Sequence, residues 1–337
     1  MSATLSSAVT PGPPGSGQDL RAPARERLAG RLQQHGALAV LVLVVIIASA
    51  TSSAFPTWAN VSSILGGNAF VWLLALGMTF VIITGGIDLS VGSMYALGGV
   101  LGAEGSRTGT WLAILLPLAV GAAWGTMQGL LVARTKMAPF IVTLAGLLGA
   151  RGLLQALTHE GSKTYLVPKG SFFRQLGGGT WVPVLIVAAL FALGALLLTR
   201  TRFGANLTAL GGNENAALLM GLPVQRTKVL VYVLSGTLAA AAGALGGARL
   251  GSGVTTIGVG YELTAIASVV IGGTLLTGGS GSVGGTVSGV LLLAVIHNLI
   301  DHYFSQYGSA FTDAVNGAFL ALVVLLQTIL SRTQKLP

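Results

Sequence analysis

The sequence predicts an all-α fold: a polytopic transmembrane helical bundle of about ten membrane-spanning helices. Three observations predict it. Hydrophobic residues make up 53% of the chain and charged ones only 8%, too little charge to cover a soluble surface. Apolar stretches of about 20 residues recur, each long enough to cross roughly 30 Å of hydrocarbon as a helix whose backbone groups are satisfied internally. The 50 glycines fall repeatedly at four-residue spacing inside those stretches, the pattern that lets membrane helices approach closely.

In chain order, residues 1–35 are rich in Pro, Gly, Ala and Arg, with PGPPGSG at 11–17, and are too polar to pack; they read as a disordered tail. The first apolar stretch, 36–54, is long and has no clear small-residue cleavage site after it, so it reads as a retained anchor. Further spans are expected at 62–83, 88–103, 110–132, 138–157, 181–199, 228–247, 260–276, 283–300 and 311–330. The bundle therefore occupies 36–330, and 331–337 forms a short tail. With the N-terminus inside, 12 of the 18 Lys and Arg residues fall on the inner side, which predicts both termini in the cytoplasm. Arg107, Arg151, Lys163, Lys169, Arg174 and Arg249 are then counted outside.

The net charge of +9 is scattered through short loops and forms no dense run, which argues against a nucleic-acid surface. The chain has no cysteine, so disulfides and thiolate chemistry are excluded. Only two connections exceed about 15 residues, at 158–180 and 200–227, and neither has room for a catalytic domain.

Small residues lie four apart at Gly121, Gly125 and Gly129, at Gly243, Gly247 and Gly251, and at Gly281, Gly285 and Gly289. Packing within one chain and packing between subunits both explain this. Two segments echo one another, TGGIDLSVG at 84–92 and TGGSGSVG at 277–284, each ending one apolar stretch and opening the next. Internal duplication and chance are both open. In the first, Gly85 and Gly86 allow the chain to turn while Asp88 brings a carboxylate to the membrane, where an acid at a helix centre costs about 2.5–3.5 kcal/mol. Asp88 either only caps the following helix or also lines a polar path or its inner gate. Asn68, Thr84, Ser90 and Ser93 are the neighbouring polar candidates for such a lining. In the 200–227 connection, Gly211, Gly212, Asn213 and Glu214 precede the pair Ala216 and Ala217, and Gly221 with Pro223 ends what reads as a short amphipathic helix.

Weaker patterns fail on context. Gly279, Gly281 and Gly284 spell GxGxxG but join two apolar stretches with no preceding strand. GGSG at 278–281, with Ser280 and a distant His297, is a poor serine-protease signature. His297, Asp301 and His302 read as interfacial polar residues, and no metal site is expected. Around Lys163 the glycine required for a nucleotide-binding Walker loop is missing.

The segment LGMTFVIITGGIDLSVGSMYALGGVLG, 76–102, resembles the signature of the permeases of ribose, xylose, arabinose and galactoside importers. The segment 200–240 looks like their cytoplasmic coupling loop, with Glu214, Ala216, Ala217 and Gly221 supplying its core pattern and Asn215 as an inserted departure. The likeness continues through 248–300 and covers roughly 60–330; Thr264 stands where many relatives carry an acid. The resemblance implies a non-enzymatic subunit in the bacterial inner membrane, forming a homodimer and importing a sugar or similar polar solute by alternating access. It implies a separate cytoplasmic ATPase that binds ATP and Mg, so this chain itself needs no cofactor. It also implies a periplasmic or lipid-anchored sugar-binding protein outside. An ion-driven secondary carrier, a facilitator and, remotely, an intramembrane protease are the competing readings.

Overall fold

The computed structural model describes residues 24–308 except Asn68 and Lys136, with a few scattered positions between 311 and 321. The chain runs through α1 (Ala24–Thr51), α2 (Trp58–Gly67), α3 (Ala69–Ile83), α4 (Val91–Gly105), α5 (Thr110–Thr135) and α6 (Pro139–Leu157). An excursion follows with β1 (Tyr165–Leu166) and α7 (Phe172–Gly177), then α8 (Trp181–Arg200), α9 (Arg202–Gly212) and α10 (Glu214–Leu219). The last part comprises α11 (Val224–Leu250), β2 (Ser252–Gly253), α12 (Tyr261–Ile271) and α13 (Val283–Phe304). β1 and β2 form one short antiparallel ladder, Tyr165 opposite Gly253.

Local signals set these boundaries. Pro139 occupies the first turn of α6, where its missing N–H costs nothing. Side-chain caps open the short helices: Thr201 Oγ1 accepts from the Gly204 amide, and Asn213 Oδ1 from that of Ala216. Gly251, in the left-handed region, closes α11.

The helices sort by what covers them. α5, α6 and α8 are apolar along their length, yet only 22–28% of their most apolar stretch is buried in the chain, against 61% for α11. The remainder is apolar surface that the described chain itself does not cover. α11 is the axis of the core, clasped by α4 and α5. Gly98 of α4 lies against Ala240, and Gly121 and Gly125 of α5 lie against Gly236 and Tyr232, so that a side chain at any of these glycines would meet backbone. Gly285 and Gly289 of α13 pack likewise on Gly272 and Ser268, so the small-residue stripes serve packing within one chain.

Among the described residues five helices are long and apolar enough to cross a membrane, or six if α2 and α3, bent by 47°, count as one. The count of ten is not confirmed. The expected span 311–330 lies mostly outside the described residues. The expected spans 88–103 and 260–276 become α4 and α12, of 15 and 11 residues. At 1.5 Å per residue they reach about 22 Å and about 16 Å, less than the hydrocarbon thickness. Hydropathy registers apolar length and is blind to the glycine breaks that start both helices part-way through the bundle.

Candidate functional site: a sealed polar node, a glycine junction and an exposed loop helix

α5 runs antiparallel to α11, as the succession Gly121 by Gly236, Gly125 by Tyr232 and Gly129 by Val229 records. Ser235 therefore lies near the middle of both helices. Its Oγ donates to Asp88 Oδ2 at 2.8 Å, which places the carboxylate at mid-depth. The other oxygen, Oδ1, accepts from the Ser90 amide at 3.0 Å and from Ser90 Oγ at 2.7 Å. Asp88 and Ser90 are fully buried and Ser93 nearly so. Asp88 closes an Asx turn onto Ser90, the N-cap residue of α4, and in this conformation it faces packed protein rather than an open channel.

The surroundings are polar as well. Ser90 Oγ is 3.2 Å from Gln128 Oε1 of α5. Gln128 Nε2, Trp124 Nε1 and Tyr232 Oη are buried without a hydrogen-bond partner among the described residues. A Cβ on Gly86 would stand 2.7 Å from Tyr232 Oη, which fixes how near the loop comes to that hydroxyl. Sequence reasoning found Asp88 and Ser90 and missed Gln128, Trp124, Tyr232 and Ser235. The available signal was a glutamine and a serine inside long apolar helices.

Below this node the two echoing segments meet. Gly85 and Gly278 both hold positive φ, +76° and +84°, and a Cβ on Gly278 would lie 2.8 Å from the Gly85 amide nitrogen. The Gly279 amide donates to Ile83 O at 2.9 Å, joining the second segment to the end of α3. Gly211, in the last turn of α9, seats against the same Ile83 carbonyl and the Gly279 amide. Thr84 is half-buried, its Oγ1 donating to Val81 O. Three backbone segments thus touch at one point: both breaks and the end of α9. Asn68 lies outside the described residues. Ser280 opens the turn into α13 whereas His297 sits four turns along that helix, so the pair of the rejected protease pattern is far apart along the chain's path.

From the junction the chain passes through Gly212 and Asn213 into α10. The alanine pair expected to form its contacting face divides: Ala217 is turned inward and fully buried against Leu210 and Val224, and Ala216 is half-buried. The outward side is Leu218, Leu219 and Met220, with Leu219 90% exposed. Glu214 Oε1 accepts from Lys228 Nζ at 2.7 Å, bracing α10 on the first turns of α11, and Gly221 turns the chain with φ +74°. Arg151, counted outside from the sequence, instead lies within α6, half-buried.

Residues 58–329 match the family described as the branched-chain amino acid transport system / permease component. Among curated proteins, the ribose import permease of Bacillus subtilis (strain 168) is 40% identical, the alignment covering 88% of this chain and 93% of that one. The fructose import permease of Bifidobacterium longum (strain NCC 2705) is 36% identical, over 86% and 89%. The xylose transport permease of Escherichia coli (strain K12) is 33% identical, over 87% and 91%. No solved structure matches the chain. The resemblance carried by residues 76–102 and 200–240 holds across nearly the whole length: this multi-pass membrane protein belongs to the permease-component family of binding-protein-dependent importers.

Proposed function

We propose that this chain is the membrane-spanning subunit of an ATP-driven importer for a sugar or a similar small polar solute, acting as a homodimer in the inner membrane with both termini in the cytoplasm. Its relatives' names supply the solute class. A separate ATPase, which carries the ATP and Mg, docks on the α9–α10 loop, and a soluble or lipid-anchored binding protein delivers solute at the opposite face, where β1 and β2 lie.

The observation that carries the coupling is the continuity between α10 and the glycine junction. A six-residue helix offers Leu218, Leu219 and Met220 to water at the end of a polar loop, and such apolar exposure marks a surface that a partner covers. The same loop, at Gly211, two residues before the Asn213 cap, is packed backbone to backbone on both breaks. A push on α10 therefore reaches the α3–α4 and α12–α13 turns without passing through a flexible side chain. Above them, Asp88 and its partners hold α4, α5 and α11 together, and the path opens to alternate sides as that grip shifts.

Leu219→Asp should abolish co-purification of the ATPase and solute uptake in proteoliposomes while the permease still folds, judged by its elution from a sizing column. Undiminished ATPase binding by this variant, or uptake driven by an ion gradient with no ATPase present, would overturn the reading.

A further inference from the structure

Between β2 and α12 the chain is not helical. Gly253 backs onto Val100 of α4, whereas Gly258, five residues later, lies against Gly92, two turns nearer the start of that helix. The segment 254–260 therefore folds back into the bundle. Gly92 follows Asp88 by one turn, and Asp88 is bonded to Ser235 at the middle of α11, so the segment ends at mid-depth. Irregular backbone at that depth persists only where protein buries it or where it lines a water-filled cavity. The described residues do not bury all of it: at its deep end Gly258 is buried but Val259 is exposed, and towards the loop after α6, where the Thr255 hydroxyl lies against Gly161, Thr256 is exposed and Thr255 half-buried.

Two ionisable residues line this segment between its outer and deep ends. Arg151 of α6 donates through one guanidinium nitrogen to the carbonyls of Thr255 (2.9 Å) and Ile257 (3.2 Å). Glu262, in the first turn of α12, lies beside Gly92 and within electrostatic reach of Arg151, and both are only partly buried. Next to them the ring of Tyr261 meets that of Tyr95 edge-on at 5.2 Å. Ionisable side chains at membrane depth turn to an aqueous path or a protein partner.

We propose that Arg151, Thr255, Thr256, Tyr261 and Glu262 form the solute-contacting station of the path, taking a neutral polyhydroxylated molecule. This rests on the permease reading above. The charges balance, which favours a neutral solute over an anion. Guanidinium and carboxylate, donor and acceptor, suit vicinal hydroxyls, and the partly exposed ring of Tyr261 adds an aromatic surface of the kind on which the C–H face of a sugar ring packs. Asp88 and its partners, sealed one turn away, hold the station's floor.

The absence of cysteine makes the test direct. Single cysteines are placed at Thr256 and, as a lipid-facing control, at Leu185 of α8, which is 65% exposed. Each permease is reconstituted with its ATPase and binding protein and treated with a cationic, water-soluble methanethiosulfonate, with radiolabelled ribose, fructose and xylose as probes. Thr256→Cys should react at least tenfold faster than Leu185→Cys, lose most of its uptake on modification, and be protected by a transported probe. Reaction only with a lipid-soluble maleimide, or modification that leaves uptake intact, would overturn the station. As a second arm, Glu262→Gln should cut uptake at least tenfold while the ATPase still co-purifies; full uptake counts against the station. Failure of the unsubstituted complex to take up any probe with ATP sinks the permease reading instead, and the reaction rates at Thr256→Cys still decide whether the segment meets water.

Discussion

Asp88 accepts three hydrogen bonds from two serines, while Tyr232 Oη, buried close to the same loop, makes none. A buried hydroxyl without a partner costs about 1–3 kcal/mol, and removing it restores that amount. Tyr232→Phe is therefore expected to leave thermal stability unchanged or to raise it. Gly86→Ala should lower stability by about 1–3 kcal/mol, because the new methyl would press on that hydroxyl at 2.7 Å. Combining Gly86→Ala with Tyr232→Phe should recover part of the loss; melting of the three variants in detergent checks this. At this scale the sequence was legible only in part, even where chemistry is local. An acid two residues before a serine at a helix start reads as a cap; Asp88 instead accepts from the amide of Ser90, the N-cap residue itself, and no side chain caps the first turn of α4. Ser235 lies 147 residues away and Gln128 forty, so their part in the node followed only from the helix packing. Arg151 was misplaced because counting cations by loop assumes that none sits inside a span.

Among the elements, the short helices carry more of the mechanism than the long ones. α5, α8 and α13 were recognisable from apolar length alone, and the loop helix from its caps and terminal glycine. What periodicity could not supply was where α4 begins and where α12 ends, because the breaks beside them are defined by contacts among Gly85, Gly278 and Gly211 rather than by a fall in hydropathy. The echo between 84–92 and 277–284 was the available hint; Gly85 and Gly278 share a positive φ, whereas at the next aligned pair Gly279 has one and Gly86 does not. Gly211→Ala separates docking from transmission. Its methyl would run into the Ile83 carbonyl and the Gly279 amide and so part α9 from both breaks, while Leu219 stays exposed. ATPase co-purification should survive in this variant, and uptake should fall at least tenfold.

Over the whole molecule, the solvent decides which apolar residues matter. In water, burying a phenylalanine is favoured by transfer from solvent; in a bilayer the alternative surroundings are already hydrocarbon, so only packing distinguishes the core from the periphery. The central cluster around Leu73, Phe80 and Leu97 is fully buried, whereas Leu185 and Leu193 of α8 are more than 60% exposed. Leu185→Ala exchanges one lipid contact for another and should shift the melting temperature by less than about 1 °C, since no cavity forms. Phe80→Ala leaves a void among α3 and its neighbours, including Phe203 of α9, whose ring lies 6.3 Å away. Its cost should fall below the roughly 3–5 kcal/mol typical of soluble cores, because the transfer contribution is missing, yet clearly exceed that of Leu185→Ala. Phe80 also bridges the bundle to α9, so its loss should loosen the junction and reduce uptake more than stability alone explains. Melting in lipid nanodiscs set beside uptake at a temperature well below the transition tests both parts. Equal sensitivity of Leu185 and Phe80 would show that the periphery of α8 is covered by protein and not by lipid.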